Sequence, residues 1–114
     1  MKISGAILVH NNERTIAKAI NSIKDLIDEL IVVDDYSTDN TIKIIKKIYP
    51  KAKIYRKALN KNFATQRNFA LSKVSHDWVL FIDSDEKVSK KLKKEILTTL
   101  KHPKFDAYVC EEIT

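Results

Sequence analysis

Two short acidic clusters carry most of the chemistry that this sequence of 114 residues could support. Asp34 and Asp35 form the first cluster, and Asp83 and Asp85, separated by Ser84, form the second. An extended segment would place Asp83 and Asp85 on the same side, because strand side chains alternate. Carboxylates gathered in one crevice repel each other unless a cation or hydrogen-bond donors compensate. Because every candidate ligand is an oxygen atom, the sequence predicts a site for Mg²⁺ or Mn²⁺ rather than Zn²⁺.

Each acidic cluster directly follows an apolar segment with the composition of a β-strand. Residues 30–33 lead into the first cluster and residues 78–82 into the second, while a similar segment, residues 3–9, leads into His10 and Asn11. Apolar residues at helical spacing follow each strand, so strands and helices alternate along the chain. This alternation implies a parallel sheet, whose ligands bind at the carboxyl ends of the strands. We therefore expect the polar strand ends to meet at one edge.

The predicted fold class is α/β, a single domain over residues 1–114 with three α/β/α layers and a mainly parallel sheet. Further strands at residues 52–56 and 106–110 bring the total to five strands, which alternate with four helices. The apolar face predicted for the first helix comprises Ile16, Ile20, Ile23, Ile27 and Leu30, and that of the third comprises Phe63, Ala70 and Val74. The predicted caps are Asn11 or Asn12 for the first helix and Ser37 or Thr38 for the second, and Asn62 is predicted to open the third.

The net charge of +6 makes polyanions plausible partners, but the pattern does not indicate nucleic-acid binding. Most of the excess lies in residues 43–61 and 87–104, between apolar residues at helical spacing and without interleaved aromatic platforms. Basic amphipathic helices of this kind allow peripheral contact with an anionic membrane. No apolar run could span a bilayer, and the segment beginning at Met1 lacks the pattern of a secretory signal, which predicts a cytoplasmic location. The single cysteine, Cys110, is predicted to be a buried small side chain.

Four segments, in order along the chain, resemble the N-terminal part of a family 2 glycosyltransferase with the Rossmann-like GT-A fold. They are residues 6–13 (AILVHNNE), 31–40 (IVVDDYSTDN), 66–71 (QRNFAL) and 77–86 (DWVLFIDSDE). The likeness is greatest to the branch that acts in lipopolysaccharide core and related glycan assembly. The resemblance implies a transferase that takes a sugar from a nucleoside-diphosphate sugar, with UDP favoured, and gives it to a glycan or lipid-linked acceptor.

The resemblance also assigns roles in nucleotide-sugar binding. Asp35 or Asp34 would accept the N3–H of a uracil ring, unless Asp34 instead braces the turn. Arg67 would face the base or the diphosphate, with Asn68 orienting that site. The remaining residues of the implied nucleotide-sugar site are Val9, His10, Asn11, Asp83 and Ser84.

The metal ion implied by the resemblance, Mn²⁺ or Mg²⁺, would be held mainly by Asp85, which would bridge it to the diphosphate. Asp83 would contact either the ribose or the metal. The ion would stabilise the negative charge that develops as the nucleoside diphosphate leaves.

Other polar and aromatic residues are better explained by structure than by chemistry. Asp39 is interpreted as a first-turn residue favoured by the helix dipole, and Glu86 as a solvent-exposed residue near the site, like Lys87. A lone histidine such as His10 either lines the nucleotide pocket or makes a structural hydrogen bond. Trp78 and Phe81, which lie in an apolar strand, are predicted to pack in the core, and His76 and His102 carry no functional signal.

The family's general base and acceptor site would lie beyond Thr114, so no catalytic residue is identified in the sequence. The chain then acts either as the donor half of a transferase or as a noncatalytic or truncated nucleotide-sugar-binding module that needs a partner. A phosphoacceptor receiver domain is disfavoured, because its acidic pair should follow the first strand, where His10 and Asn11 stand. A last strand with an exposed edge would allow a homodimer.

Overall fold

The computed structural model describes residues 2–60 and 62–101 of the chain, in which four strands alternate with four helices. The predicted fifth strand, residues 106–110, the edge that it would expose, Cys110 and His102 all lie outside the described residues. The elements are β1 (Ile3–Val9), α1 (Ile16–Ile23), β2 (Glu29–Asp34), α2 (Thr41–Ile48), β3 (Lys53–Arg56), α3 (Phe63–Lys73), β4 (Trp78–Asp83) and α4 (Lys90–Lys101).

The sheet has the strand order β3-β2-β1-β4, and all its neighbouring strands are parallel. In the register of the sheet, Leu8 of β1 lies between Val33 of β2 and Asp83 of β4, and Val9 pairs with Asp34. The strands therefore end at nearly the same level. This register brings both acidic clusters and the polar end of β1 to one edge of the sheet, as the sequence predicts.

Helices cover both faces of the sheet, which confirms the three-layer prediction. The larger core lies on the face covered by α1, α2 and α4, and includes Ile7, Ile20 and Val32. The smaller core lies under α3, where Ala70 packs on Ala6, Ile31 and Val33. Trp78 and Phe81 are half-buried against these two cores, in agreement with the packing role predicted for them.

The first helix is shorter than its apolar spacing predicts. It ends at Ile23, whose carbonyl oxygen accepts hydrogen bonds from the amides of both Leu26 and Ile27 in a tight turn. Leu30 then belongs to β2, so the prediction that the helical face continues to Ile27 and Leu30 was wrong. Ile27 is buried by a different route, since it packs over Gly5, where an added Cβ would lie 2.9 Å from Ile27 Cδ1.

Neither of the two predicted helix caps is confirmed, whereas Asn62, predicted to open the third helix, does so as its cap. The side-chain oxygen of Asn62 accepts a hydrogen bond from the amide of Thr65 at 3.0 Å. The N-cap positions of α1 and α2 are Thr15 and Asn40, and neither side chain makes a capping hydrogen bond. The side chains of Asn11, Ser37 and Thr38 bond across to the opposite loop instead, while that of Asn12 accepts from the amide of His10 in its own loop. Phe63, predicted to face inward, is 64% exposed.

Among the described residues, none of the helices combines the length and the apolar character that crossing a membrane would require.

Candidate functional site

A cleft of about 520 Å³ opens at the carboxyl edge of the sheet. We call it the carboxyl-edge cleft. It lies where the end of β4, the loop after β1 and the start of α3 come together. Its lining comprises Leu8, residues 11–15, Asp39, Phe63, Asp83, Ser84 and Asp85.

A tight turn, rather than an extended strand, brings Asp83 and Asp85 into the same cleft. β4 ends at Asp83, and the amide of Glu86 then donates to the carbonyl oxygen of Asp83 at 3.0 Å. The Glu86 carboxylate in turn accepts from the amide of Asp83 at 2.7 Å. The segment is therefore not extended, which was the condition for placing both carboxylates on one side of a strand, and the interpretation of Glu86 as a solvent residue was wrong. Glu86 is half-buried and holds the turn that presents Asp83 and Asp85.

The carboxylates of Asp83 and Asp85 are exposed and take no hydrogen bond or ion pair from the described part of the chain. Free carboxylate oxygens suit a hard divalent cation such as Mn²⁺ or Mg²⁺. No group of three or more His, Cys, Asp or Glu within residues 2–60 and 62–101 could enclose a metal ion. The pair alone would therefore leave most ligand positions of such an ion to other groups.

Asp34 is fully buried at the end of β2 and braces the turn that follows. Its Oδ1 accepts from the amide of Ser37 at 3.0 Å and from the Ser37 hydroxyl at 2.6 Å. The same hydroxyl accepts from the amide of Asn11 at 2.9 Å. A chain of hydrogen bonds thus ties the end of β1 to the end of β2, which corresponds to the bracing role left open for Asp34.

Asp35, in contrast, keeps part of its carboxylate open to solvent. Its Oδ1 accepts from the amide of Leu59 at 3.1 Å, and its side chain is 26% exposed. Its amide donates to the carbonyl oxygen of Val9, a buried residue. The ring Nδ1 of His10 lies 2.5 Å from the backbone carbonyl oxygen of Asp35. Because a carbonyl oxygen only accepts, the Nδ1–H of His10 is the donor. His10 therefore makes a structural hydrogen bond between the two loops, while its side chain remains 57% exposed.

The loops after β1 and β2 are joined by reciprocal hydrogen bonds. Asn11 has a positive φ of 50°, and its side-chain oxygen accepts from the amides of Thr38 and Asp39 at 2.7 and 3.3 Å. The Asp39 carboxylate accepts from the amide of Glu13, and the Glu13 carboxylate accepts from the amide of Asn40. This crossing of loops holds one side of the cleft in a fixed shape.

Asp39 has the structural role expected of it, although it precedes α2 rather than lying in its first turn. Its carboxylate accepts from both the amide and the hydroxyl of Thr41. Desolvation alone would raise the pKa of Asp39, but these hydrogen bonds, together with the one from the Glu13 amide, outweigh it and lower the pKa. Asp39 therefore stays ionised and anchors the start of α2.

Arg67 and Asn68 lie on the exposed side of α3, and neither lines the cleft. The Arg67 guanidinium lies 5.0 Å from the centre of the Phe81 ring, which holds the side chain against β4. On the same helix, Gln66 is buried and donates to the carbonyl oxygen of Lys57 at 2.6 Å. A nucleotide role for Arg67 and Asn68 stays a prediction.

The sequence reasoning missed two side chains in the cleft, Arg14 and Phe63. Arg14 is the single cation of the lining within the described residues, among the carboxylates of Glu13, Asp39, Asp83 and Asp85. It lies two residues after Asn12, the last residue of the polar segment that follows β1. This position in the sequence indicated that Arg14 lies at the carboxyl edge of the sheet. Phe63 directly follows the helix cap Asn62, at the end of α3 that lies at the carboxyl edge of the sheet.

Comparison with known proteins places these features in a family. The sequence model of the family described as "Glycosyl transferase family 2" matches residues 4–111. An uncharacterised glycosyltransferase of Rickettsia typhi is 42% identical over 112 residues, which cover 98% of this chain and 37% of that protein.

Solved structures agree with the sequence comparison. A crystal structure of Staphylococcus aureus TarS has a TM-score of 0.73 and 32% identity, and covers 89% of this chain and 32% of that chain. Glucosyl-3-phosphoglycerate synthase from Mycobacterium tuberculosis, in complex with Mn²⁺ and UDP-glucose, has a TM-score of 0.66 and 30% identity, with coverage of 90% and 40%. This chain therefore spans well under half the length of the proteins that it matches. Its fold is that of the GT-A glycosyltransferases, and the chain belongs to glycosyl transferase family 2.

Proposed function

We propose that the carboxyl-edge cleft binds the diphosphate and sugar of a nucleoside-diphosphate sugar, with UDP as the favoured nucleotide, together with a divalent metal ion. The chain would then form the donor-binding part of an enzyme that transfers the sugar to a glycan or lipid-linked acceptor. The observation that carries this proposal is the free carboxylate pair of Asp83 and Asp85 in a cleft that also contains Arg14.

The charges of the cleft suit a complex of a divalent metal ion with a diphosphate better than the metal ion alone or the diphosphate alone. Asp83 and Asp85 would hold Mn²⁺ or Mg²⁺, which would stabilise negative charge on the departing nucleoside diphosphate. Arg14 would donate to phosphate oxygens, since a guanidinium presents several N–H groups in a fixed plane. The carboxylates of Glu13 and Asp39 already accept hydrogen bonds from backbone amides, so Asp83 and Asp85 offer the less engaged oxygens.

The nucleoside would lie beside the cleft, towards the end of β2. Asp35 has a partly exposed carboxylate there and would accept the N3–H of uracil. Asp34 would not contact the base, because it is buried beneath the turn. Relatives support UDP as the nucleotide, since S. aureus TarS has been crystallised with UDP-GlcNAc and the mycobacterial synthase with Mn²⁺ and UDP.

The test is a calorimetric titration of the chain with UDP and GDP, with and without Mn²⁺. We expect UDP to bind more tightly than GDP and to require the metal for most of its affinity. Asp85→Asn should remove the metal-dependent part of the affinity. Asp77→Asn is the matched control, because Asp77 is equally an exposed aspartate next to β4 but precedes the strand and does not line the cleft.

Metal-independent binding, or equal loss of affinity in Asp85→Asn and Asp77→Asn, would contradict the proposed site. Hydrolysis of UDP-sugars then separates the two functions that the family resemblance leaves open. Turnover of the donor would support a transferase, whereas binding without turnover would favour a nucleotide-sugar-binding module that needs a partner for catalysis.

A further inference from the structure

Phe63 is an aromatic side chain placed on the surface of the carboxyl-edge cleft. Four large apolar side chains are notably exposed in the described part of the chain, namely Tyr36, Phe63, Leu71 and Leu97. Of these, only Phe63 lines the cleft, where it is 64% exposed. An exposed phenylalanine ring forgoes the stabilisation that its burial in the core would supply. The ring of Phe63 therefore gives the cleft an apolar surface that does not contribute to the core.

The backbone around Phe63 is held in place, so this exposure follows from the local fold. Asn62 caps the helix that Phe63 begins, and the Gln66 amide bonds to the carbonyl oxygen of Lys57. The inward face of α3 is taken by Gln66 and Ala70, which are buried. Phe63 therefore stands at the start of a helix whose backbone is held in place and whose buried positions are filled by other residues.

Tyr36 and Phe81 each have an arginine over the ring, while Phe63 has no such cation within the described residues. The guanidinium of Arg56 lies over Tyr36 at 5.8 Å and that of Arg67 over Phe81 at 5.0 Å. Within residues 2–60 and 62–101, Phe63 has neither a cation nor another ring against it. Its ring face is therefore available to a ligand in the cleft.

We propose that Phe63 is the platform on which the sugar ring of the donor lies. This inference rests on the function proposed above and names the part of the ligand that Phe63 contacts. A pyranose has a face of C–H groups and a rim of hydroxyls. The electron-rich face of an aromatic ring attracts the C–H face, and nearby carboxylates accept hydrogen bonds from the hydroxyls. The cleft offers both surfaces side by side.

The position of Phe63 favours the sugar over the nucleobase as its partner. The sugar is bonded directly to the diphosphate, so it must lie close to the carboxylates of Asp83 and Asp85, which line the same cleft. The base is proposed to lie at Asp35, which is not part of the cleft lining. The ligand class that fits is a UDP-hexose with an unbroken C–H face, such as UDP-glucose or UDP-N-acetylglucosamine.

The experiment compares affinities for UDP, UDP-glucose and UDP-N-acetylglucosamine in the presence of Mn²⁺. In Phe63→Ala we expect the affinity for at least one UDP-sugar to fall about 5- to 10-fold, with less than a 2-fold change for UDP. Phe63→Tyr keeps the ring and should keep the affinity. Leu71→Ala, which truncates another exposed apolar residue of α3 outside the cleft, is the matched control and should change neither.

Equal loss of affinity for UDP and UDP-sugars in Phe63→Ala would show a contact with the nucleotide and would overturn the inference. Unchanged affinity for both UDP-sugars would overturn it as well, while leaving the proposed function intact. If the wild-type chain binds none of the three ligands, the proposed function itself fails, and the inference fails with it.

Discussion

The Nε atom of Arg56 lies 3.6 Å from Oδ2 of Asp34, a buried carboxylate oxygen that receives no hydrogen bond. At this distance the two groups form an ion pair rather than a hydrogen bond. Oδ1 of the same carboxylate is saturated by Ser37, so Arg56 is the only cation that offsets the charge of Oδ2 within the described residues. A surface arginine on β3 thus stabilises the buried residue that braces the turn after β2.

Arg56→Gln should lower the free energy of unfolding by about 1–2 kcal/mol, because it leaves a buried charge without a counter-ion. The loss stays modest because the Arg56 side chain is 61% exposed and solvent already screens the pair. Arg56→Lys, which keeps the charge, should lose less. Urea unfolding measures the effect, with Lys43→Gln on the exposed side of α2 as the control; equal losses in the two glutamine variants would contradict this role.

Glu29 should make stability depend on acid pH. Desolvation alone would raise its pKa, but hydrogen bonds from the Ser4 hydroxyl, the Ser75 amide and Lys53 lower the pKa from an ordinary 4.5 to about 2. Because the unfolded chain takes up this proton first, the contribution is complete above about pH 4.5 and is lost as the pH falls towards 2. The shift corresponds to about 3 kcal/mol.

Unfolding in urea at a series of pH values measures this contribution. In Glu29→Gln the decline in stability between pH 4.5 and 2 should be much shallower, and the variant should be less stable at neutral pH. Glu95→Gln, at an exposed position of α4, should retain the wild-type decline. A wild-type decline in Glu29→Gln would show that other carboxylates cause the acid sensitivity.

Asn62 should stabilise α3 through its cap. Asn62→Ala removes the acceptor for the Thr65 amide and should cost about 1 kcal/mol in the free energy of unfolding. Asn62→Asp preserves the acceptor and should be nearly neutral, which makes it the matched control. Thermal or urea unfolding of the two variants provides the measurement, and a loss of the same size in both would mean that the cap is not the cause.

Arg14 should set the affinity of the cleft for phosphate. Arg14 is the only cation among the cleft residues described. Arg14→Gln should therefore lower the affinity for the diphosphate about 10-fold. Arg14→Lys should recover part of the loss, since it restores the charge but not the planar donor pair. Lys18→Gln, on the exposed side of α1, serves as the control. Titration with UDP at two salt concentrations measures the effect, and identical affinities for Arg14→Gln and Lys18→Gln would refute it.

The order of elements and the edge that carries the polar residues could be predicted from the sequence. Apolar runs alternate with helical spacing along the chain, and parallel strands must place their carboxyl ends together. The acidic residues at the ends of β2 and β4 must therefore lie at the same edge of the sheet. The family followed from the same segments, since the residues around Asp34 and Asp85 are its most specific part.

What the tertiary structure decided is which polar atoms remain free. Asp34 and Asp85 look alike in the sequence, yet one is buried and bonded to Ser37 while the other stands exposed in a turn held by Glu86. Side chains such as Asn11 cap the opposite loop rather than their own helix, because register brings the two loops into contact. The hydrogen bonds between the two loops join residues more than 20 positions apart, so no local pattern contains them. Likewise, only packing reveals that Arg14 and Phe63 share the cleft with the carboxylates.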